Sequence, residues 1–305
     1  MSSFLALALG IACAAAGGDL FVRGVVGLSR WMRVSAGIIG ATVAAFGTSA
    51  PELSVGIMAG LAKTPQVSLG DVLGSNIINV ALVLGITLLI GGLHSTRAKV
   101  GRDFSIALLA PAVLGLLSLD GRLSRVDGFI LWAMFLIWIT ATVLEVRKQR
   151  SATGKVLGER HSGRALLFSG LGLVLLIAAG RLIISGAKGM AASLGIGGFI
   201  IGAFIVAVGT SVPELATAII SRIKGHEEVG LGTILGSNIF NGLFIIPTLV
   251  VICPVAVPWP EAALSIGFGI VAVAMTLPTR KGAIDRWRGA ALLALYLLYI
   301  ALSLL

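Results

Sequence analysis

Gly47-Thr48-Ser49-Ala50-Pro51-Glu52, followed by Leu73-Gly74-Ser75-Asn76-Ile77-Ile78-Asn79, returns 162 residues later as Gly209-Thr210-Ser211-Val212-Pro213-Glu214 and Leu235-Gly236-Ser237-Asn238-Ile239-Phe240-Asn241. The offset holds without a gap from Gly18/Gly180 to Asn79/Asn241, and about half of the positions between 38 and 79 match their partners. Each copy plants one glutamate inside an apolar run. A carboxylate in lipid is costly and marks an ion or substrate path. Two of them, related by an internal duplication, point to a transport site at the interface of two halves.

The surrounding chain is that of a membrane protein. Of its 305 residues 57% are hydrophobic and only 12% charged, against about 25% charged in soluble domains. Apolar segments cover about 3–28, 35–61, 68–92, 104–119, 126–146, 165–190, 196–221, 230–252, 261–278 and 286–304. Most approach the ~20 residues that a helix needs to cross the hydrocarbon. No stretch alternates with period two over strand lengths, which argues against a β-barrel. The 41 glycines are spread through the spans, where small residues let helices approach closely.

A net charge of +10 could suggest nucleic acid, but the basic residues sort by sidedness. Arg30 and Arg33 follow the first span, and Arg97, Lys99 and Arg102 the third. Arg147, Lys148, Arg150, Lys155, Arg160 and Arg164 follow the fifth, Arg222 and Lys224 the seventh, and Arg280, Lys281, Arg286 and Arg288 the ninth. The alternate loops hold only Lys63, Arg122, Arg125 and Lys188. The positive-inside rule then puts both termini outside and every odd-to-even loop in the cytoplasm. Cys13 and Cys253 lie in or at the end of different spans, supporting neither a disulfide framework nor a metal motif. Ala14-Ala15-Ala16 resembles a signal-peptidase site, yet no basic region precedes it and the apolar run continues to Leu28, so the segment reads as a retained first span.

The expected fold is an all-α polytopic membrane protein of ten transmembrane helices, with helices two and seven broken by proline. Residues 1–146 form the first five-helix repeat, 147–164 a basic cytoplasmic linker, and 165–305 the second repeat. Five is odd, so the second half enters the membrane upside down, as an inverted-topology repeat about a pseudo-two-fold axis. The linker reads as a flexible tether near anionic lipid.

Pro51 and Pro213 fall mid-span, where proline removes a backbone donor and kinks the helix. Carbonyls around Ala45–Gly47 and Ala207–Gly209 are then expected to seek partners, which is tolerated at this depth only inside protein or along a hydrated cavity. Thr48 and Glu52 lie one turn apart, as do Thr210 and Glu214, so hydroxyl and carboxylate share a face. Ser75 and Asn79 repeat that spacing, matched by Ser237 and Asn241, and Ser49 and Ser211 are secondary candidates. Two carboxylates, several hydroxyls, amide carbonyls and loosened backbone carbonyls make a set of hard oxygen donors. Such a set suits Ca2+ or Na+ and argues against zinc, copper or iron; Mg2+, which keeps its waters, fits less well. Asn76 and Asn238 read as helix–helix hydrogen-bonders. Asp19 and Arg181 occupy equivalent positions in spans one and six, and an ion pair between them is the structural expectation. Asp71, at the start of the third span, reads as a solvated or access-path acid.

The doubled Gly-Thr-Ser-x-Pro-Glu and Gly-Ser-Asn-Ile-x-Asn motifs resemble the two α-repeats of the cation/calcium exchanger superfamily, closest to its prokaryotic sodium/calcium exchangers. The resemblance spans essentially the whole chain and implies a cytoplasmic (inner) membrane protein with no cofactor beyond the transported ions, no nucleic-acid partner and no obligatory protein partner. It implies that Glu52 and Glu214 share Ca2+ with Thr48 and Thr210. Na+ would use the same acids with Ser75, Ser237 and the carbonyls of Ala45 and Ala207, while spans one and six slide to expose the site alternately. Some relatives carry an acid at the position of Asn241, whereas Asn79 and Asn241 are both neutral here, which leaves Na+ or H+ open as coupling ion. The large cytosolic insert of the animal exchangers is absent, so sensing by such a domain is not expected. A passive cation channel would use the same ligands without alternating access. An intramembrane enzyme is disfavoured, because His94, His161 and His226 all fall in loops and leave a membrane serine without a base.

Overall fold

The computed structural model describes residues 3–95, 97–152, 162–191, 201–279 and 282–303. Lys155 and Arg160 of the linker, Arg280 and Lys281, and the start of the seventh span at 196–200 lie outside the described residues. Ten helical runs are present among them. These are α1 (Ser3–Met32), α2 (Ala36–Thr48, resumed as Ala50–Leu61), α3 (Pro65–Ile90), α4 (Arg97–Leu117) and α5 (Arg125–Ala152). The second half supplies α6 (Ser162–Ala191), α7 (Ile201–Val206 and Ala207–Thr210, resumed as Val212–Ile223), α8 (Glu227–Ile252), α9 (Trp259–Met275) and α10 (Arg286–Ser303). α5 runs on through the basic residues Arg147, Lys148 and Arg150, good helix formers, so the start of the linker is helix instead of tether.

Two short antiparallel strand pairs join the halves. β1 (Leu93–His94) pairs with β4 (Ala283–Ile284), linking the α3–α4 and α9–α10 connections. β2 (Arg122–Leu123) pairs with β3 (Val255–Ala256), linking the α4–α5 and α8–α9 connections. Both pairings join loops of the same parity, as the charge pattern requires, which assigns the first to the cytoplasmic face and the second to the outside.

Burial sorts the helices. The apolar windows of α3 and α8 are 72% and 83% buried, whereas that of α5 is only 17% buried. The first two therefore form the centre and α5 faces lipid with Ile130, Leu136, Ile137 and Leu144 exposed. Symmetry-related glycines set the central crossings. A methyl on Gly74 of α3 would stand 2.7 Å from the Ala203 Cα in α7, and one on Gly236 of α8 would stand 2.6 Å from the Ala41 Cα in α2. Only a residue without Cβ permits that approach.

α1 and α6 pack along each other in the same manner. A methyl on Gly24 would meet the Ser169 Cα at 2.8 Å, and one on Gly172 the Phe21 Cα at 2.7 Å. Phe21, Val22, Val25, Ala165 and Leu176 belong to a second, smaller apolar cluster that also takes in Ile39 and Ala44 of α2 and Val229 of α8. The expected Asp19–Arg181 pair does not form. Asp19 is held by Arg23 at 2.8 Å, one turn along α1, and by Lys224 after α7, while Arg181 is exposed. Equivalence by the repeat does not bring two positions together; helical spacing does.

Candidate functional site

Backbone irregularity converges on the middle of the molecule, in symmetric pairs. α2 and α7 contain π-helical turns at Gly40–Ala44 and Ile201–Val206, and α3 and α8 contain them at Ile78–Leu84 and Asn241–Ile245. Such turns misalign the ordinary helical ladder and cluster at functional sites. Just beyond the first pair, Ser49 (φ −83°, ψ 9°) and Ser211 (φ −80°, ψ 3°) leave the helix in the sparsely populated bridge region. Across Ser49 the two limbs of α2 bend by 43°. The break precedes Pro51 and Pro213 by two residues, so each proline sits in the first turn of the outgoing limb, where its missing N–H is harmless. Glu52 and Glu214 fall in the same first turns, and the positive ends of two opposed half-helices favour their charge.

Glu52 is 1% exposed and Glu214 fully buried, and Thr48, Thr210, Ser49, Ser211, Ser75, Ser237, Asn79 and Asn241 are buried with them. Hydroxyl contacts cross between the halves. Thr48 meets Ser237 at 3.4 Å, Ser75 meets Thr210 at 3.3 Å, and Ser49 donates to Glu214 Oε1 at 3.4 Å. Ser237 donates to the same oxygen at 3.0 Å. Behind this layer, Asn79 Nδ2 donates to Asn238 Oδ1 (3.1 Å), Asn238 Nδ2 to the Asn76 carbonyl (3.0 Å) and Asn241 Nδ2 to Asn76 Oδ1 (3.0 Å). Asn76 and Asn238 thus lace α3 to α8, as their helix-packing reading anticipates.

The acceptors left over are informative. Both oxygens of Glu52, Glu214 Oε2, Asn79 Oδ1 and Asn241 Oδ1 are buried without any hydrogen-bond partner. An orphaned buried acceptor costs about 1–3 kcal/mol, more when charged, and no basic side chain among the described residues is paired with either glutamate. Oxygens gathered in this way have the chemistry to receive a desolvated cation. The Ala45 and Ala207 carbonyls are less open than the sequence suggests: each accepts from its i+4 serine N–H (2.9 and 3.0 Å) and from its i+3 threonine hydroxyl (3.3 Å in both).

Asp71 is buried instead of solvated, which excludes one of the two readings that its sequence position allows. It is fully buried, accepts from Thr210 Oγ1 at 3.0 Å through Oδ1, and leaves Oδ2 unpartnered. The apolar run begins at 68, but the helix begins at Pro65, which sets Asp71 about 9 Å along it. The spacing Ser68, Asp71, Ser75, Asn79 could have revealed it, since steps of three, four and four keep one helix face.

The family described as sodium/calcium exchanger protein matches residues 2–144 and again 164–305, one match in each half. The chain belongs to this family. Among its relatives, the inner membrane protein YrbG of Escherichia coli is 35% identical over 226 residues, covering 71% of this chain and 70% of that one. The sodium/calcium exchanger MaX1 of Methanosarcina acetivorans is 27% identical, covering 98% and 97%. A solved structure of the sodium-calcium exchanger NCX_Mj, soaked with 100 mM Na+ and 10 mM Sr2+, superposes with a TM-score of 0.83 at 28% identity over 98% of this chain and 97% of that chain. Family membership and shared fold make this an integral membrane antiporter of inverted-repeat architecture.

Proposed function

We propose that the protein is a secondary active antiporter that exchanges Ca2+ for Na+ by alternating access, with Glu52 and Glu214 sharing the ions. The observation that carries this reading is the pair of opposed half-helix ends, each presenting a buried carboxylate oxygen that no protein donor satisfies. Two carboxylates neutralise one Ca2+, and the hydroxyls of Thr48, Thr210, Ser75 and Ser237, with the free amide oxygens of Asn79 and Asn241, complete an all-oxygen shell. Na+ would occupy overlapping positions. Leaving the cavity empty would strand two desolvated negative charges, so closure around it is unfavourable until cations arrive. That penalty couples the two fluxes. The glycine-lined α1–α6 pair supplies a unit that can slide against the α3–α8 centre. MaX1 and NCX_Mj, which carry sodium and calcium in their names, support the choice of ions.

The test is 45Ca2+ uptake into proteoliposomes under an imposed Na+ gradient, with pH clamped equal on both sides. Na+-driven accumulation is the expected result. Ca2+ flux driven by a pH gradient alone would assign the coupling to H+, and flux that needs no counter-ion would make the protein a passive channel.

A further inference from the structure

We propose that Asp71 is a third anionic ligand, holding a Na+ of its own beside the ion shared by Glu52 and Glu214. This rests on the antiporter reading above and extends it. The position is unique to one half: 162 residues on stands Thr233, whose hydroxyl turns back to the Val229 carbonyl at 2.8 Å. Asp71 instead reaches across to α7 and takes the Thr210 hydroxyl at 3.0 Å, while Thr210 also meets Ser75 at 3.3 Å. Asp71 Oδ2 remains buried and unpartnered, as does Ser68 Oγ one turn nearer the N-terminal end of α3. By the charge distribution that end faces outside, so Ser68, Asp71, Ser75 and Asn79 form a continuous oxygen stripe from the outer side to the glutamates.

The symmetry-breaking acid also redistributes donors. Ser237 and Ser49 both donate to Glu214, but on the other side Thr210 is engaged by Asp71 and Glu52 keeps no donor at all. Three buried carboxylates then lie along one polar path without a basic partner among the described residues. Among the described residues no three acids, histidines or cysteines are grouped to hold a single ion, so a cation at the unpartnered Asp71 Oδ2 would be separate from the one between the glutamates. A divalent ion between the glutamates leaves one negative charge uncancelled, and a buried charge persists only when paired. A monovalent ion ligated by Asp71 Oδ2, with the Ser75 and Thr210 oxygens bridging it to the ion between the glutamates, supplies the missing charge with hard oxygen donors.

Two measurements on the full-length protein test this. In the first, 22Na+ binding to purified wild-type protein at saturating Ca2+ should leave about one Na+ per chain; none bound would overturn the proposal. In the second, Asp71→Asn keeps the acceptor for Thr210 and removes the charge. In proteoliposomes at clamped pH, its half-saturating Na+ should rise at least about tenfold, with the Hill coefficient falling by about one and half-saturating Ca2+ staying within about twofold. Asp71→Glu should retain the wild-type Hill coefficient. Unchanged Na+ dependence in Asp71→Asn, or equal loss of Na+ and Ca2+ affinity, would refute a dedicated Na+ ligand. Absence of Na+-driven Ca2+ flux in the wild type would instead defeat the antiporter assignment, so the two failures are distinguishable.

Discussion

Gly236→Ala probes how finely the site is set by backbone contact. The added methyl would lie 2.6 Å from the Ala41 Cα and 2.7 Å from the Ala41 carbonyl carbon, both on α2. Ordinary carbon–carbon contact is about 3.5–4.0 Å, so α2 and α8 must separate by roughly 1 Å. Neither neighbour is a flexible side-chain end, and overpacking of this kind costs about 1–3 kcal/mol in stability. The functional effect is larger, because two contacts spanning α2 to the other half already sit at the edge of hydrogen-bonding range. Thr48 to Ser237 and Ser49 to Glu214 are both 3.4 Å, and a further ~1 Å would break them. A lost hydrogen bond to a charged group is worth about 1.5–3 kcal/mol, or roughly 10- to 100-fold in ion affinity. Half-saturating Ca2+ should rise by that factor in a proteoliposome flux assay. Gly267→Ala, whose methyl would meet nothing within 4 Å, should leave it unchanged. Wild-type Ca2+ affinity in a correctly inserted Gly236→Ala protein would refute the argument that this crossing positions the ligands.

Glu52→Gln and Glu214→Gln should each weaken Ca2+ affinity at least about 100-fold, since removing one member of a buried charged set costs roughly 3–5 kcal/mol; normal uptake by either would remove it from the site. In ion-free buffer Glu52→Gln should raise the melting temperature more than Glu214→Gln, because only Glu214 has serine donors to lose. The exposed ends of the Asp19 cluster predict a small effect: Asp19→Asn should change stability by less than about 1 kcal/mol, and Arg181→Gln by nothing that thermal unfolding resolves. Burial, reinforced by Arg30 and Lys224, holds the His226 imidazole below its usual range. The folded protein then prefers the neutral ring, so this contribution is complete above the ordinary value near 6.5 and fades as pH falls below it. His226→Gln should lose less melting temperature between neutral and acidic pH than the wild type, and an identical loss would exclude the effect.

The ten spans and their inversion were legible because both follow from counting: hydrocarbon thickness fixes span length, and parity fixes the relative orientation of the halves. Glu52, Glu214 and the hydroxyl spacing were equally accessible, since one helical turn decides which neighbours share a face. Asp19 shows where this ends. The repeat identifies its equivalent, Arg181, but the tilt of α1 against α7 chooses Lys224, and no local pattern encodes that tilt. Asp71 was hidden for a related reason. Depth depends on where a helix begins and what covers its end, and Pro65 starts α3 before the apolar run does. The Ala45 and Ala207 carbonyls illustrate a third gap, because proline identifies which backbone donor is lost and not where neighbouring threonine hydroxyls turn.

The strand pairs and the asparagine lacing both run from one half to the other, with consequences for how the chain is made. Synthesis delivers α1–α5 first, at about 5–20 residues per second, and at that stage β1, β2, Asn76 and Asp71 have none of the partners that they hold in the finished molecule. These contacts can close only as the second half is made: those of Asp71 and Asn76 with α7 and α8, and that of β1 with the α9–α10 connection. Biogenesis is thus a meeting of two unfinished pieces.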